Sequence, residues 1–330
     1  HRDLHSFPTR RSSDLDTKAP FPLNNSWGYH DAATGNGRWD LYYEEMVKRY
    51  GAPVSMEEFC DKMQLMNATG YQGIFEAAGH KLNDIGGVML WKLNAAFPSV
   101  VWQVYDWYLQ PNAGYYFMQN AVEPVHIQLN LISKEIMVIN KTYREVADLT
   151  AQVDVFDADS KSMLHEEKEV SLEGTDVQIT TNISEVLNAN NDVSFVLLRL
   201  KDRTGRVISS NTYWLSKEEQ YSELNDMAEE SVEVSVANNG ISRSEKSWTT
   251  EISNPGSKIA FFVRAQLLKD GEEVLPSFWS ANYISLLPGE KTTLKVSCPV
   301  DLAANDGIMT LKISGWNVKE KEINLQKSLR

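Results

Sequence analysis

Three side chains in the first third of the chain have the chemistry to act on a substrate: the carboxylates of Glu76 and Asp106, and the indole of Trp91, which Asn94 follows closely. Two carboxyl groups ~5 Å apart beside an aromatic platform are what retaining hydrolysis of a glycosidic bond requires, one as acid and base and the other as nucleophile. Trp91 could stack on the apolar face of a pyranose while Asn94 supplies a hydrogen bond. A tryptophan in this setting reads equally as core packing, since tryptophan is highly buried on average. The carboxylates fit less well. Glu76 and Asp106 both fall within helical patterns, whereas catalytic side chains of a barrel enzyme come from strand ends. Glu44-Glu45 and Glu57-Glu58 read as a solvated helix face and a helix cap. No residue of this chain is therefore assigned a catalytic role. Trp27 and His30, in the glycine-rich loop that runs to Trp39, could reach over a pocket, although a lone loop histidine is also an ordinary surface residue. No metal-ligand spacing, phosphate loop or nucleophile elbow occurs, so neither a metal nor another cofactor is expected. His126 and His165 fall in β-patterned stretches and read as structural.

The elements that would position Trp91 and Asn94 are a strand and a helix. After Gly86-Gly87, the unbroken apolar run of residues 88–91 suits a strand buried on both faces. A loop through Phe97-Pro98 leads to Ser99, a plausible N-cap, beyond which Val100, Val101, Val104, Trp107 and Tyr108 recur at helical spacing. Such a βα unit would put Trp91 at the C-terminal end of a barrel strand, the end that faces the active site. Upstream, Asp40 can cap a helix with Tyr43, Met46, Val47 and Tyr50 on one face and Gly51 at C′. Ser55 to Glu58 form a capping box, followed by a stripe of Met56, Phe59, Cys60, Met63 and Met66 that leads toward Ile74 and Phe75. The order helix, helix, strand, helix over residues 16–123 is only the last part of a barrel, since a complete one takes ~250 residues.

From residue 124 the pattern changes to period two. Val125, Ile127, Leu129 and Leu131 alternate with polar residues, and similar runs occupy 135–140, 149–156 and 195–200, with a hairpin turn at 202–205. A second β region begins near Ser231 and continues through 248–253, 259–268, 292–298 and 309–314, with turns at 254–256, 270–271 and 288–289. Regions of about a hundred residues built from short strands have the size of immunoglobulin-like sandwiches. The expected organisation is multidomain: the C-terminal part of a (β/α)8 TIM barrel (16–123), an Ig-like β-sandwich (124–216), an acidic linker (217–230) and a second Ig-like β-sandwich (231–330).

Composition narrows the function classes. A net charge of −13 over 330 residues, with no clustered Lys and Arg, argues against nucleic acid and mainly serves solubility. No run approaches the ~18 apolar residues of a membrane-spanning helix. Cys60 and Cys298 fit no metal spacing and read as separate buried thiols. The first fifteen residues, HRDLHSFPTRRSSDL, are basic, polar and without periodicity. They resemble the conceptual translation of a sequencing adapter and are set aside as an artefactual or disordered leader, with the expectation that the true protein extends further upstream.

Residues 50–77 (YGAPVSMEEFCDKMQLMNATGYQGIFEA), the block GVMLWKLNAAFPSVVWQVYDWYLQPNAGYY and AVEPVHIQ resemble the end of the barrel in glycoside hydrolase family 2, in the branch of exo-β-D-glucosaminidases and β-mannosidases. Residues 260–294 and the SGWN of 314–317 resemble the terminal Ig-fold domain of the glucosaminidase branch. The resemblance implies a retaining exo-acting β-glycosidase that takes terminal sugars from oligosaccharides, with catalytic glutamates after strands four and seven. Both would lie upstream of residue 16, so the chain as given should hydrolyse nothing. The resemblance also implies that Trp91 borders the terminal sugar, with Asn94 in the same block and a looser match at Trp27 and His30, and that the protein is periplasmic or extracellular. A rival reading is a non-catalytic Ig-like module that binds carbohydrate through exposed aromatics such as Trp248 or Trp279. The family reading expects instead an apolar flank exposed beside the last strand.

Overall fold

The structure is a computed structural model that describes residues 21, 39–95, 97–99, 103–303 and 307–326. Three helices come first: α1 (Trp39–Tyr50), α2 (Met56–His80) and α3 (Ala113–Ala121). Met46 and Tyr50 of α1 are buried as their spacing requires, and Gly51 closes the helix at φ 81° with its N–H donating to the Val47 carbonyl at 2.9 Å. At α2 the Ser55 hydroxyl accepts from the Glu58 N–H, while the Glu58 carboxylate reaches back to the Val54 N–H at 2.7 Å, one residue beyond the usual capping box. The amine of Lys62, only 1% exposed, ties this turn together by donating to Glu58 at 2.6 Å and to the Gly51 carbonyl at 3.1 Å.

The expected βα unit is not formed. Residues 88–91 form no strand, and among the described residues no strand precedes Val125. The expected barrel portion is thus represented by helices and irregular chain. An isolated strand leaves its own N–H and C=O groups unpaired, and an apolar run becomes a strand only where neighbours supply the ladder. Of the helix expected from Ser99 to Tyr108, the described residues 99 and 103–108 form none. Residues 103–112 form a tight loop with bridges from Tyr105 to Asn94 and to Pro111. The helix instead starts at Ala113, where the Asn112 side chain accepts from the Tyr115 N–H at 3.1 Å.

The first sandwich packs a sheet of β1 (Val125–Leu129), β2 (Glu135–Asn140) and β5 (Asp176–Asn182) on a sheet ordered β4-β3-β6-β7. Here β3 is Val146–Asp157, β4 Ser162–Leu172, β6 Ser194–Lys201 and β7 Val207–Leu215, with a short helix α4 (Ser184–Ala189) before β6. Ile127, Leu129, Ile136 and Val138 from one sheet meet Val153, Val155, Val196 and Leu198 from the other. A 3-10 turn (Ser222–Asp226) then occupies the acidic stretch, its Leu224 buried and Glu219 paired with Arg49 at 2.7 Å.

The second sandwich has a sheet ordered β12-β14-β9-β8 and a facing sheet ordered β11-β10-β15-β16, with β13 also on β10. Its strands are β8 (Glu233–Ser242), β9 (Glu245–Ser253), β10 (Ala260–Lys269), β11 (Glu272–Glu273), β12 (Phe278–Trp279), β13 (Ile284–Leu286), β14 (Lys291–Pro299), β15 (Met309–Ser314) and β16 (Lys321–Asn324), with a helical turn α5 (Val300–Ala303) after β14. Asp270-Gly271 and Pro288-Gly289 make turns as their types require, with Gly271 at φ 86° and Gly289 at φ 76°.

One core joins all three parts. On β7, Trp214 lies edge-on to Phe117 of α3 and to Phe261 and Phe262 of β10, and its Nε1 donates to the Tyr50 hydroxyl of α1 at 2.9 Å. Phe262 sits at φ 55° where the β10–β13 register shifts, and Phe261 and Phe262 are both buried. Arg199 of β6 adds a bidentate grip on Glu290 of the second sandwich, from Nε at 2.9 Å and Nη2 at 2.6 Å.

Candidate functional site

Trp91 stands at one end of an apolar groove of about 610 Å³. Tyr42 of α1 and Met63, Met66, Tyr71, Ile74 and Phe75 of α2 form its floor, and residues 88–91 its other wall. Trp91 is not packed into a core among the described residues: it is 78% exposed and Met89 beside it 97%. Leu93 and Ile85 are exposed as well, so an apolar flank does lie open along this segment. The Trp91–Lys92 peptide is cis. Asn94 is exposed, and the residue before it is held in place, since the Leu93 carbonyl accepts from the N–H groups of Val104 at 3.2 Å and Tyr105 at 2.9 Å. Its side chain donates to the Ala95 carbonyl at 3.3 Å, a contact weak enough to exchange for a ligand. Trp91 and Asn94 thus share one exposed segment. Trp27 and His30 lie outside the described residues.

The two carboxylates do not form a pair for catalysis. Glu76, 2% exposed on α2, is spent on holding that helix to the first sandwich. The Tyr213 hydroxyl lies 2.9 Å from each of its carboxylate oxygens, the Asn211 amide donates to it, and its backbone carbonyl accepts from Gln128 Nε2 at 2.9 Å. His126 of β1, fully buried, lies between Glu76 (Nε2 to Oε1 3.5 Å) and Glu123 (Nδ1 to Oε2 3.2 Å). Burial works against a charge on His126, but the flanking Glu123 and Glu76 carboxylates outweigh it and raise the imidazole pKa. His126 is structural, as its β-patterned position suggests. Asp106 is not helical; it accepts the Gln110 N–H at 2.8 Å and closes the loop from Tyr105 to Pro111. Trp248 and Trp279, the aromatics named for the rival binding module, are buried at 1% and 8% exposed. His165 is a surface member of β4 held by Asp154 at 2.6 Å, and Cys60 and Cys298 are separate buried thiols.

Sequence reasoning missed one exposed aromatic near the site. Trp107, expected on the buried face of a helix, is 48% exposed at the tip of the Tyr105 to Pro111 loop. The Asp-x-x-x-Gln spacing that closes this loop is present in the sequence, but a helix satisfies it equally.

The chain is similar to carbohydrate-active enzymes along nearly its whole length. Residues 211–318 match the family model described as the Exo-beta-D-glucosaminidase Ig-fold domain, and residues 133–217 the Mannosidase Ig/CBM-like domain. It is 29% identical to an exo-beta-D-glucosaminidase of Arthroderma benhamiae over 94% of this chain and 37% of that protein. A second exo-beta-D-glucosaminidase, from Hypocrea jecorina, is 29% identical over 95% of this chain and again 37% of the relative. The solved exo-chitosanase CsxA of Amycolatopsis orientalis superposes with a TM-score of 0.85 at 26% identity, covering 95% of this chain and 40% of that one, and has also been solved with PNP-beta-D-glucosamine. The chain thus spans little more than a third of the length of these curated relatives. Its two sandwiches thus match Ig-fold domain models of the exo-β-D-glucosaminidase and mannosidase kind, as the sequence resemblance implies.

Proposed function

We propose that this chain is the C-terminal portion of a retaining, exo-acting β-glycosidase that removes terminal β-linked glucosamine units from oligosaccharides. In this reading residues 16–123 end a (β/α)8 barrel, 124–216 and 231–330 are its Ig-like domains, and 217–230 link them. The observation that carries the reading is the superposition on the exo-chitosanase over 95% of the chain at a TM-score of 0.85. Two features of the chain support it. The groove beside residues 88–91 leaves exposed the apolar face that further barrel elements would cover. The net charge of −13 suits attraction of a polycationic amino-sugar chain better than of a neutral mannoside. Trp91 would stack on the terminal sugar and Asn94 hydrogen-bond to it, with Trp27 and His30 at the same pocket. The catalytic carboxylates would come from the barrel strands that precede this portion, so the chain alone would be inactive. Export to the periplasm or cell exterior, where such polymers are met, belongs to the same proposal.

The test uses the whole protein of which this chain is part. Incubated with glucosamine oligomers, it should shorten them one residue at a time from the non-reducing end and release the β-anomer first, as followed by NMR. Internal cleavage, or release of the α-anomer, would contradict the proposal.

A further inference from the structure

We infer that Trp107 is a second sugar platform, one that engages an outer unit of the oligosaccharide rather than the terminal sugar. The assignment rests on the glycosidase reading above. Its basis is how the structure presents this side chain. The loop is closed by the Tyr105 to Pro111 bridge, by the Asp106 N–H donating to the Gln110 carbonyl at 3.1 Å, and by the Asp106 carboxylate accepting the Gln110 N–H. Beneath the tip, Val104 at 0%, Asp106 at 7%, Gln110 at 5% and Asn112 at 5% are buried, while Tyr105 and Pro111 of the closing bridge are half-buried. The loop is anchored from a second side as well, since the Gln110 amide donates to the Glu273 carboxylate of the second sandwich. A half-exposed indole on such a rigid base offers a face to a ligand without ordering cost, the property that favours aromatic platforms.

Position decides what it would hold. The Asn94–Tyr105 bridge is parallel, and Trp91 precedes it by three residues while Trp107 follows it by two. Extended-chain and strand spacings then keep the two Cα atoms within about 23 Å of each other. They lie on opposite sides of the bridge, so one pyranose ring could not rest on both. The loop also connects the end of residues 88–91 to α3, and in a barrel such loops form the face that receives substrate. An oligosaccharide with its terminal sugar on Trp91 would therefore run past Asn94 toward Trp107.

The experiment compares kcat/KM of the whole protein for a glucosamine tetramer and for an aryl β-D-glucosaminide, which carries a single sugar. Trp107→Ala should lower the tetramer value about tenfold, the worth of one aromatic stacking contact, and leave the aryl substrate within about twofold. Trp107→Phe should recover much of the loss. Tyr143→Ala, which removes an aromatic 96% exposed elsewhere in the chain, should change neither. A Trp107→Ala protein whose tetramer to aryl ratio matches wild type, or that loses both activities equally, overturns the assignment while leaving the glycosidase reading standing. A wild type inactive on both substrates overturns that reading and this assignment with it.

Discussion

Trp214→Ala should be among the most costly single changes in this chain, and the structure sets its size. The indole is 2% exposed, with ring centroids 5.1 Å from Phe261, 5.8 Å from Phe262 and 5.9 Å from Phe117. A buried aromatic withdraws roughly 150–250 Å² from water, worth about 4–6 kcal/mol at 25 cal/mol per Å². Partial collapse of the cavity recovers some of this, and large-to-small aromatic changes cost about 3–5 kcal/mol. Trp214→Phe keeps most of the contact but leaves the Tyr50 hydroxyl without its 2.9 Å donor, for about 1–2 kcal/mol. Urea unfolding followed by circular dichroism and by tryptophan fluorescence reads both numbers. Because α1, α3, β7 and β10 all meet at this side chain, the two signals should coincide in wild type and shift together in Trp214→Ala. A loss below about 1 kcal/mol, or a shift in only one signal, would refute the shared core.

Two further predictions follow from the packing of α2. Because the His126 pKa is raised in the fold, by carboxylates that outweigh the effect of burial, its contribution is complete below the ordinary histidine value of about 6.5 and fades as pH rises through the folded value. The stability difference between wild type and His126→Gln should therefore shrink from pH 6 toward alkaline pH, and a difference that grows with pH would contradict the assignment. Gly114→Ala should cost about 1–3 kcal/mol in the same unfolding assay, since a Cβ there would run into the Asn67 amide and come within 2.5 Å of the Tyr71 ring, where α3 crosses α2.

The β-patterned runs were legible: 135–140 is β2, 195–200 lies within β6, and 309–314, which alternates in burial, is β15. The acidic and basic residues of β4 hid it, because an edge strand carries charge that masks alternation. β6 and β10 are buried along nearly their whole length on both faces, a property of what packs on them that alternation does not signal. The failure at residues 88–91 has the same origin, since strand pairing is not local. Trp91 and Asn94 stood out in the sequence because they follow directly on an apolar run; Trp107 did not, because its helical spacing concealed a loop. The role of Glu76 was also hidden, its partners being Asn211 and Tyr213, 135 and 137 residues away.

The most direct test of the account is the ratio of kcat/KM for aryl β-D-glucosaminide over aryl β-D-mannoside in the whole protein, measured in wild type and in Trp91→Ala. The account predicts a ratio well above one, with Trp91→Ala losing at least about tenfold on the glucosaminide through the stacking contact. A ratio below one, or a Trp91→Ala protein as active as wild type, would contradict it.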